Sequence, residues 1–349
     1  MTDSSFDRIA DLSLRIDRET RTRLERDTSS GFTRASTVFE LHGAGATGRG
    51  EDVTYDAVDH DALADASSLV PPGEYTFAAF SAALDDVDLF PTPPERGSSR
   101  HYRRWAVESA ALDLALKQAG TTLGAVLGRS YDPVRFVVST RLGDPPTADR
   151  VEALLERDPG LAFKLDPTSD WGDGLVDALA ATGSVRILDL KGHYEGTDVD
   201  QEPDPDLYER VLSAFPDAVV EDPAVTPDTE ALLAPERDRL SWDAPVTGVE
   251  SVEDLPFDPR WLNVKPSRFG TVESLLATLD YCEDRDVRLY GGGQFELGPG
   301  RDQIQALASL FYPDGPNDVA PGGYNDPELP DGLPSSPLAT AAFEPGFGV

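Results

Sequence analysis

The sequence predicts an α/β fold in which a closed barrel of eight parallel strands follows a distinct N-terminal region. Three observations carry this expectation. From about residue 134, eight short apolar runs alternate with helical segments: "VRFVVST", "LAFKLDP", "VRILDLKG", "AVVEDP", "RLSWD", "WLNVKPS", "VRLYGGG" and "NDVAP". Runs of this length between helices are βα units, and eight of them favour a closed barrel over an open sheet. Residues 1–100 lack this rhythm, and "PTPPERGSSR", residues 91–100, is a breaker cluster of linker type.

Taken in order, "SLRIDRETRTRLERD" alternates in part as an exposed strand does. "STVFELHGAGATGRGED" then reads as a strand, a glycine-rich turn and a continuation. "WAVESAALDLALKQAG" sets alanine and leucine at helical spacing, with Gly120 as its stop. Further helices are expected at 147–157, 173–182, 205–214, 271–284 and 302–311, between the strands. The closing residues are rich in Pro and Gly.

Composition narrows the function. The 349 residues carry 64 acidic against 30 basic side chains, a formal charge of −34. A field of that sign repels nucleic acid and anionic membranes, so neither is an expected partner. The chain is not an acidic disordered tail, because 39% of it is hydrophobic and apolar periodic segments run throughout. Concentrated salt shortens the Debye length to about 3 Å at 1 M, which relieves such self-repulsion; a salt-adapted protein is the expectation. The single cysteine, Cys282, fits a reducing compartment. No apolar run reaches signal-peptide length at the N-terminus or about 18 residues elsewhere. The expectation is a soluble, cytoplasmic protein.

In a parallel barrel the active site gathers at the C-terminal strand ends. Those ends read Lys164, Asp189, Glu221, Asp243 and Lys265, each about one βα unit from the next. Three carboxylates on adjacent strands make an oxygen-rich site for a hard divalent cation, Mg²⁺ most often. Only four lysines occur in the chain, Lys117, Lys164, Lys191 and Lys265. Arginine cannot readily release its proton, whereas a lysine in a partly desolvated pocket near positive charge has a lowered pKa and serves as a base. A carboxylate-bound cation and two lysines together specify removal of an α-proton from a carboxylate substrate. Lys191 and Glu296 are additional pocket candidates; Lys191 reads equally as a solvated loop residue, and Glu296 as a charge at a helix start. Asp222 reads as a structural neighbour ahead of Pro223, and Lys117 as structural. The histidines His42, His60, His101 and His193 lack metal-ligand spacing, with His193 nearest a strand end. "YGGGQFELGPGR" lacks the Gly-Lys-Ser/Thr ending of a phosphate loop.

These residues resemble the enolase superfamily, and most closely its muconate-cycloisomerase subgroup, which includes o-succinylbenzoate synthases and N-succinylamino acid racemases. "STVFELHGAGATGRGED" resembles the capping segment ending in Gly-x-Gly-Glu, and "AVESAALDLALKQAGTTLGAVLG" the helix leading into the barrel. "LNVKPSRFGTVESLLATLDYCEDRDVRLYGGGQFELGPGRDQIQALASL" is the most specific match. The resemblance implies a modified TIM barrel, (β/α)7β, with an N-terminal α+β capping domain and bound Mg²⁺ (or Mn²⁺). On it, residues 1–100 form the capping domain, 101–326 the barrel with its lead-in helix, and 327–349 a tail expected to pack on the capping domain. Asp189, Glu221 and Asp243 match the metal ligands, and Lys164 and Lys265 the acid/base pair on opposite faces.

Two positions depart from that pattern. Ala162 stands where the family has the first lysine of Lys-x-Lys, and Ala244 where it has a glutamate after the third ligand. A two-residue shift would put Asp166 in the base position, and Glu250 is an alternative third ligand. The resemblance implies dehydration to o-succinylbenzoate; racemisation of an N-acylamino acid, dipeptide epimerisation, cycloisomerisation or a non-catalytic binding role are the alternatives. The expected partner is a small-molecule carboxylate, and assembly into a homo-oligomer is compatible with the sequence.

Overall fold

A computed structural model describes residues 4–194, 199–340 and 344–348. The N-terminal region contributes five strands: β1 (Ser13–Ile16), β2 (Arg18–Asp27), β3 (Thr33–Gly43), β4 (Ala46–Asp52) and β5 (Gly73–Thr76). β1 pairs antiparallel with β5, and β2, β3 and β4 form an antiparallel meander. The "GAGA" turn works because Ala44 and Gly45 both take positive φ, 49° and 81°, the requirement of a two-residue hairpin whose twist matches its strands. β2 is the sheet's outer edge, and its run of charged side chains discourages pairing with other chains.

The expected helix spans Ser99–Gln118 and lies directly on β4. The Gly-x-Gly of β4 explains how closely. A Cβ on Gly48 would fall 2.2 Å from Ala110 O, and one on Gly50 would fall 2.0 Å from Ala106 O. Only glycine lets the helix backbone approach the strand this far.

Seven parallel strands follow: β6 (Val138–Thr140), β7 (Phe163–Leu165), β8 (Val185–Asp189), β9 (Val219–Glu221), β10 (Leu240–Trp242), β11 (Trp261–Val264) and β12 (Arg288–Gly291), paired in that order. Helices at Asp149–Arg157, Asp173–Ala181, Pro205–Ala214, Val272–Glu283 and Pro299–Phe311 match the periodic segments. Two connections carry only short helices, Glu230–Leu233 and Val249–Glu253, below the length at which a periodic pattern is readable.

The eighth expected strand, "NDVAP", is not a strand but a pair of parallel bridges, Phe136 with Asn317 and Gly292 with Asp318. These join the first and last barrel strands and close the ring. The Asn317 side chain supplies what a longer ladder would. Its Oδ1 accepts from Gly291 N at 2.6 Å, and its Nδ2 donates to the carbonyls of Arg135, Tyr312 and Gly315. Together these observations establish a modified TIM barrel carrying an α+β cap. The C-terminal segment runs back along the barrel, bridging Val134 at Leu338, and ends with Phe347 buried against Trp105.

Candidate active site

Side chains alternate along each barrel strand. One set, including Phe163, Leu165, Leu188, Val220, Leu262 and Val264, joins the large core. The other set faces the barrel axis, where Val137, Ala162, Ile187, Val219, Trp261 and Tyr290 form an apolar floor. Two residues further along stand Lys164, Asp189, Glu221 and Asn263, and Lys265 follows two beyond Asn263. Strand periodicity therefore stacks a polar layer on the floor at the C-terminal strand ends, and all five side chains are buried. Ala162, in place of a lysine, contributes to the floor.

Lys164 Nζ lies 2.5 Å from Glu221 Oε1, 3.0 Å from Asp189 Oδ2 and 3.9 Å from Asp318 Oδ2. Lys265 Nζ lies 2.7 Å from Asp243 Oδ2. β7 and β11 are four strands apart in a ring of eight segments, so the two lysines enter from opposite sides. Gly292 makes room for this: a Cβ there would sit 2.5 Å from Asn263 Oδ1 and 2.9 Å from Lys265 Cε.

Three carboxylates, Asp189, Glu221 and Asp222, present oxygens within 4.8 Å of one another. Asp243, the expected third member of such a group, lies alongside and is held by cations instead. Arg268 Nε is 3.1 Å from Asp243 Oδ1, and Tyr194 donates its hydroxyl to Oδ2 at 2.9 Å. Asp222 has φ +47°, a strained geometry for a residue other than glycine, and its carboxylate accepts the backbone N–H groups of Asp243 and Ala244 at 2.8 and 3.0 Å. The donor set is all oxygen, buried and anionic, which fits a hard divalent cation.

Burial drives the charge states. It pushes Glu221 up to about 8 despite Lys164, and Asp222 up to about 7 with help from the neighbouring Asp243 and Asp189 charges. Burial acts the same way on Asp189 and Asp243, but is outweighed by Lys164 and Lys191 at the first and by Arg268 and Lys265 at the second, so both stay well below the usual carboxylate range. Both lysines are raised rather than lowered: burial disfavours their charge, but the facing carboxylates overcome it. This departs from the lowered lysine pKa expected from sequence, because each ammonium faces the carboxylates with which a cation would compete for it.

Of the remaining candidates, Lys191 is not a solvated loop residue. It takes φ +55° and pairs with Asp189, and with Asp166 at 3.5 Å. Glu296 is engaged within its own loop, accepting from Gln294 N at 2.7 Å and lying 3.4 Å from Arg301. Glu250 is exposed on the Val249–Glu253 helix and His193 is exposed after β8, which sets both apart from the cluster. Sequence reasoning missed Asn263, which donates to Glu221 at 3.1 Å, and Tyr290, which donates to its other oxygen at 2.7 Å. Counting two residues back from Lys265 would have found Asn263.

This architecture is the fold of solved structures that include muconate cycloisomerases and a member of the enolase superfamily. The chain belongs to the family described as domain of unknown function DUF8230, whose C-terminal domain matches residues 130–326 and whose N-terminal domain matches residues 7–126. The o-succinylbenzoate synthase of Bacillus subtilis (strain 168) is 26% identical over 255 residues, covering 70% of this chain and 66% of that protein, just under two thirds of its length. Muconate cycloisomerase from Pseudomonas fluorescens superposes with a TM-score of 0.65 at 17% identity, over 88% of this chain and 87% of that one. A dipeptide epimerase from Methylococcus capsulatus complexed with Mg ion gives 0.65 at 17% identity, over 85% and 88%. At such identities the solved structures share the fold.

Proposed function

We propose that this protein is a divalent-metal-dependent enzyme that removes the α-proton of a carboxylate substrate, and that the reaction it completes is dehydration to o-succinylbenzoate. The observation that carries the reading is the placement of Lys164 and Lys265 on opposite sides of a buried carboxylate cluster. Likeness to an o-succinylbenzoate synthase supports the choice of product.

Asp189, Glu221 and Asp243 would hold Mg²⁺ (or Mn²⁺). Asp222 already uses its oxygens to fix the backbone at Asp243, whereas Asp243 Oδ1 accepts no hydrogen bond and faces only the Arg268 guanidinium, 3.1 Å away at Nε. A cation held there would supply stabilisation for the negative charge that develops on the substrate carboxylate as the α-proton leaves. Lys164 is held protonated by Glu221 and Asp189. It would act as the base that takes the α-proton on its face only once a cation has taken over those carboxylates and it has lost its proton; Lys265 would balance charge or donate a proton on the other. Asn263 and Tyr290 orient Glu221. The capping domain covers the mouth, with Tyr55 reaching Gln294 of the barrel at 2.6 Å.

The test is Mg²⁺-dependent formation of o-succinylbenzoate from its cyclohexadiene precursor in high salt, run beside α-proton exchange in D₂O on N-acylamino acids and dipeptides. Product formation is expected. Exchange on N-acylamino acids without dehydration would shift the assignment to racemisation, which the paired lysines equally support. Neither activity, together with no stabilisation by Mg²⁺, would leave the non-catalytic binding role.

A further inference from the structure

Residues 292–298 join β12 to the helix Pro299–Phe311 at the C-terminal mouth of the barrel. Gly292, at their start, packs against Asn263 and the Lys265 stem with no room for a Cβ, and its N–H donates to Val264 O at 3.0 Å. From there the loop folds against the cap. Gln294 accepts from Tyr55 at 2.6 Å, and the Phe295 ring meets Phe32 edge-on with centroids 5.2 Å apart. Phe295 takes φ +58°, a conformation that costs energy for a residue with a side chain, so the loop needs an external hold.

The helix start shows where the hold comes from. Its N-cap is Gly298, which has no side chain to accept the free N–H groups of the first turn. Glu51, the last residue but one of β4 in the cap, reaches across and does so. Its Oε1 accepts from Leu297 N and from Ser36 Oγ, both at 2.6 Å. Its Oε2 accepts from Gly298 N at 2.9 Å and Gly300 N at 3.0 Å. Glycine at 300 leaves the space, because a Cβ there would fall 2.9 Å from Glu51 Oε2. Glu51 is 1% exposed, its hydrogen-bond partners are all neutral, and the neighbouring Glu296 charge has the same sign. The carboxylate is therefore met by backbone N–H groups at the positive end of a 13-residue helix. Four donors converging on two oxygens fix a single orientation of loop against cap.

We infer that Glu51 is a positioning residue: its carboxylate takes the place of the missing N-cap side chain, fixes residues 292–298 and, through Gly292, sets the wall against which Lys265 lies. The hold on the loop is independent of the reaction; its consequence for turnover rests on the proposed function.

The test uses two variants of the full chain at constant salt. Glu51→Gln keeps the size of the side chain but turns an NH₂ group toward N–H donors. Glu51→Ala removes a fragment with the size and charge of acetate. In Glu51→Gln, amide hydrogen exchange at Gly292, Leu297, Gly298 and Gly300 is expected to speed up roughly tenfold to hundredfold, the scale of one charge-assisted hydrogen bond, while β8 and β9 stay protected. Acetate in place of chloride should slow that exchange in Glu51→Ala and raise its thermal midpoint more than that of wild type; acetamide, equal in size but neutral, should not. No gain from acetate over acetamide overturns the role of the carboxylate. Faster exchange at residues 297–300 with Gly292 unchanged overturns the positioning role, since Glu51 would then serve the helix start alone. Should Glu51→Ala fold in neither solution, the exchange pattern of Glu51→Gln decides.

Mg²⁺-dependent α-proton exchange on N-acylamino acids gives the catalytic readout. In Glu51→Gln, kcat should fall roughly tenfold or more with KM near the wild-type value, the signature of a displaced acid/base group and not of lost binding. An unchanged kcat overturns the positioning of Lys265. A wild type that exchanges no α-proton is a failure of the proton-transfer reading, and amide exchange at Gly292, which needs no substrate, then decides the inference.

Discussion

The ammonium of Lys164 sits between Glu221 Oε1, at 2.5 Å, and Asp189 Oδ2, at 3.0 Å, buried on all sides. A lysine held this way is fixed in position and fully charged, and its partners are the groups that would bind a cation. Competition between ammonium and cation for the same oxygens is thus built into the site.

Lys164→Ala and Lys265→Ala are expected to lower α-proton exchange by about 10²–10⁴-fold, the usual contribution of a positioned acid or base. Lys164→Arg and Lys265→Arg should not restore it, since a guanidinium keeps its proton. Exchange in D₂O followed by NMR checks this. Near-wild-type exchange in the arginine variants would mean that charge alone suffices.

Metal binding separates the two acids that compete for the third position. Mg²⁺ at a hundredfold excess over its Kd should stabilise the wild type by roughly 2.7 kcal/mol. Asp189→Asn and Asp243→Asn should each remove that increment. Asp222→Asn should retain part of it while lowering the baseline, because the backbone N–H groups of Asp243 and Ala244 lose a charged acceptor. Thermal unfolding with and without Mg²⁺ reads both quantities. The reverse pattern would make Asp222 the ligand.

Much of this site was legible because strand periodicity and strand-end position are local properties. Lys164, Asp189, Glu221, Asp243 and Lys265 each close a short apolar run, and a run of that kind has only two faces. Asp222 was not legible as a cluster member, since its placement depends on a positive φ immediately after β9. Asn263 was overlooked because a polar residue inside a strand carries no sign of what it faces; the Trp261 and Lys265 neighbours on its side supply that sign only once the barrel axis is known. The closing segment failed as a strand for a related reason. Asn317 replaces ladder hydrogen bonds with side-chain ones to Arg135 and Gly291, contacts far away in sequence that no window of residues reveals.

Asn317 therefore carries a stability prediction. Asn317→Leu would leave Gly291 N and Arg135 O without their partner, while Tyr312 O and Gly315 O keep the backbone N–H groups of Gly315 and Asn317; each orphaned group costs about 1–3 kcal/mol when nothing replaces it. Allowing for relaxation, a stability loss of about 2 kcal/mol or more is expected from urea unfolding at constant salt. A loss below about 1 kcal/mol would show that the two bridges hold the ring closed without it.

His60 sets a pH dependence away from the active site. Its ring is buried, with Nδ1 2.9 Å from Thr37 Oγ1 and Nε2 2.9 Å from Thr54 O. Burial lowers its pKa below the ordinary 6.5; Asp52, 3.9 Å away, opposes this, and the charges of Arg34 and Arg103 reinforce it. The unfolded chain therefore binds the proton more readily than the folded one. His60 contributes its full stability above pH 6.5, and the contribution falls as pH drops from there toward the folded value, with a slope of at most about 1.4 kcal/mol per pH unit. Other groups titrate over the same range, including Glu221 and Asp222 with raised values, so the measurement is a difference. The stability advantage of wild type over His60→Gln, taken from urea unfolding at constant salt, should shrink between pH 7.5 and 5 on the scale set by that slope. An advantage that stays constant or grows on acidification would mean that His60 is protonated in the folded state, with Asp52 rather than burial setting its charge.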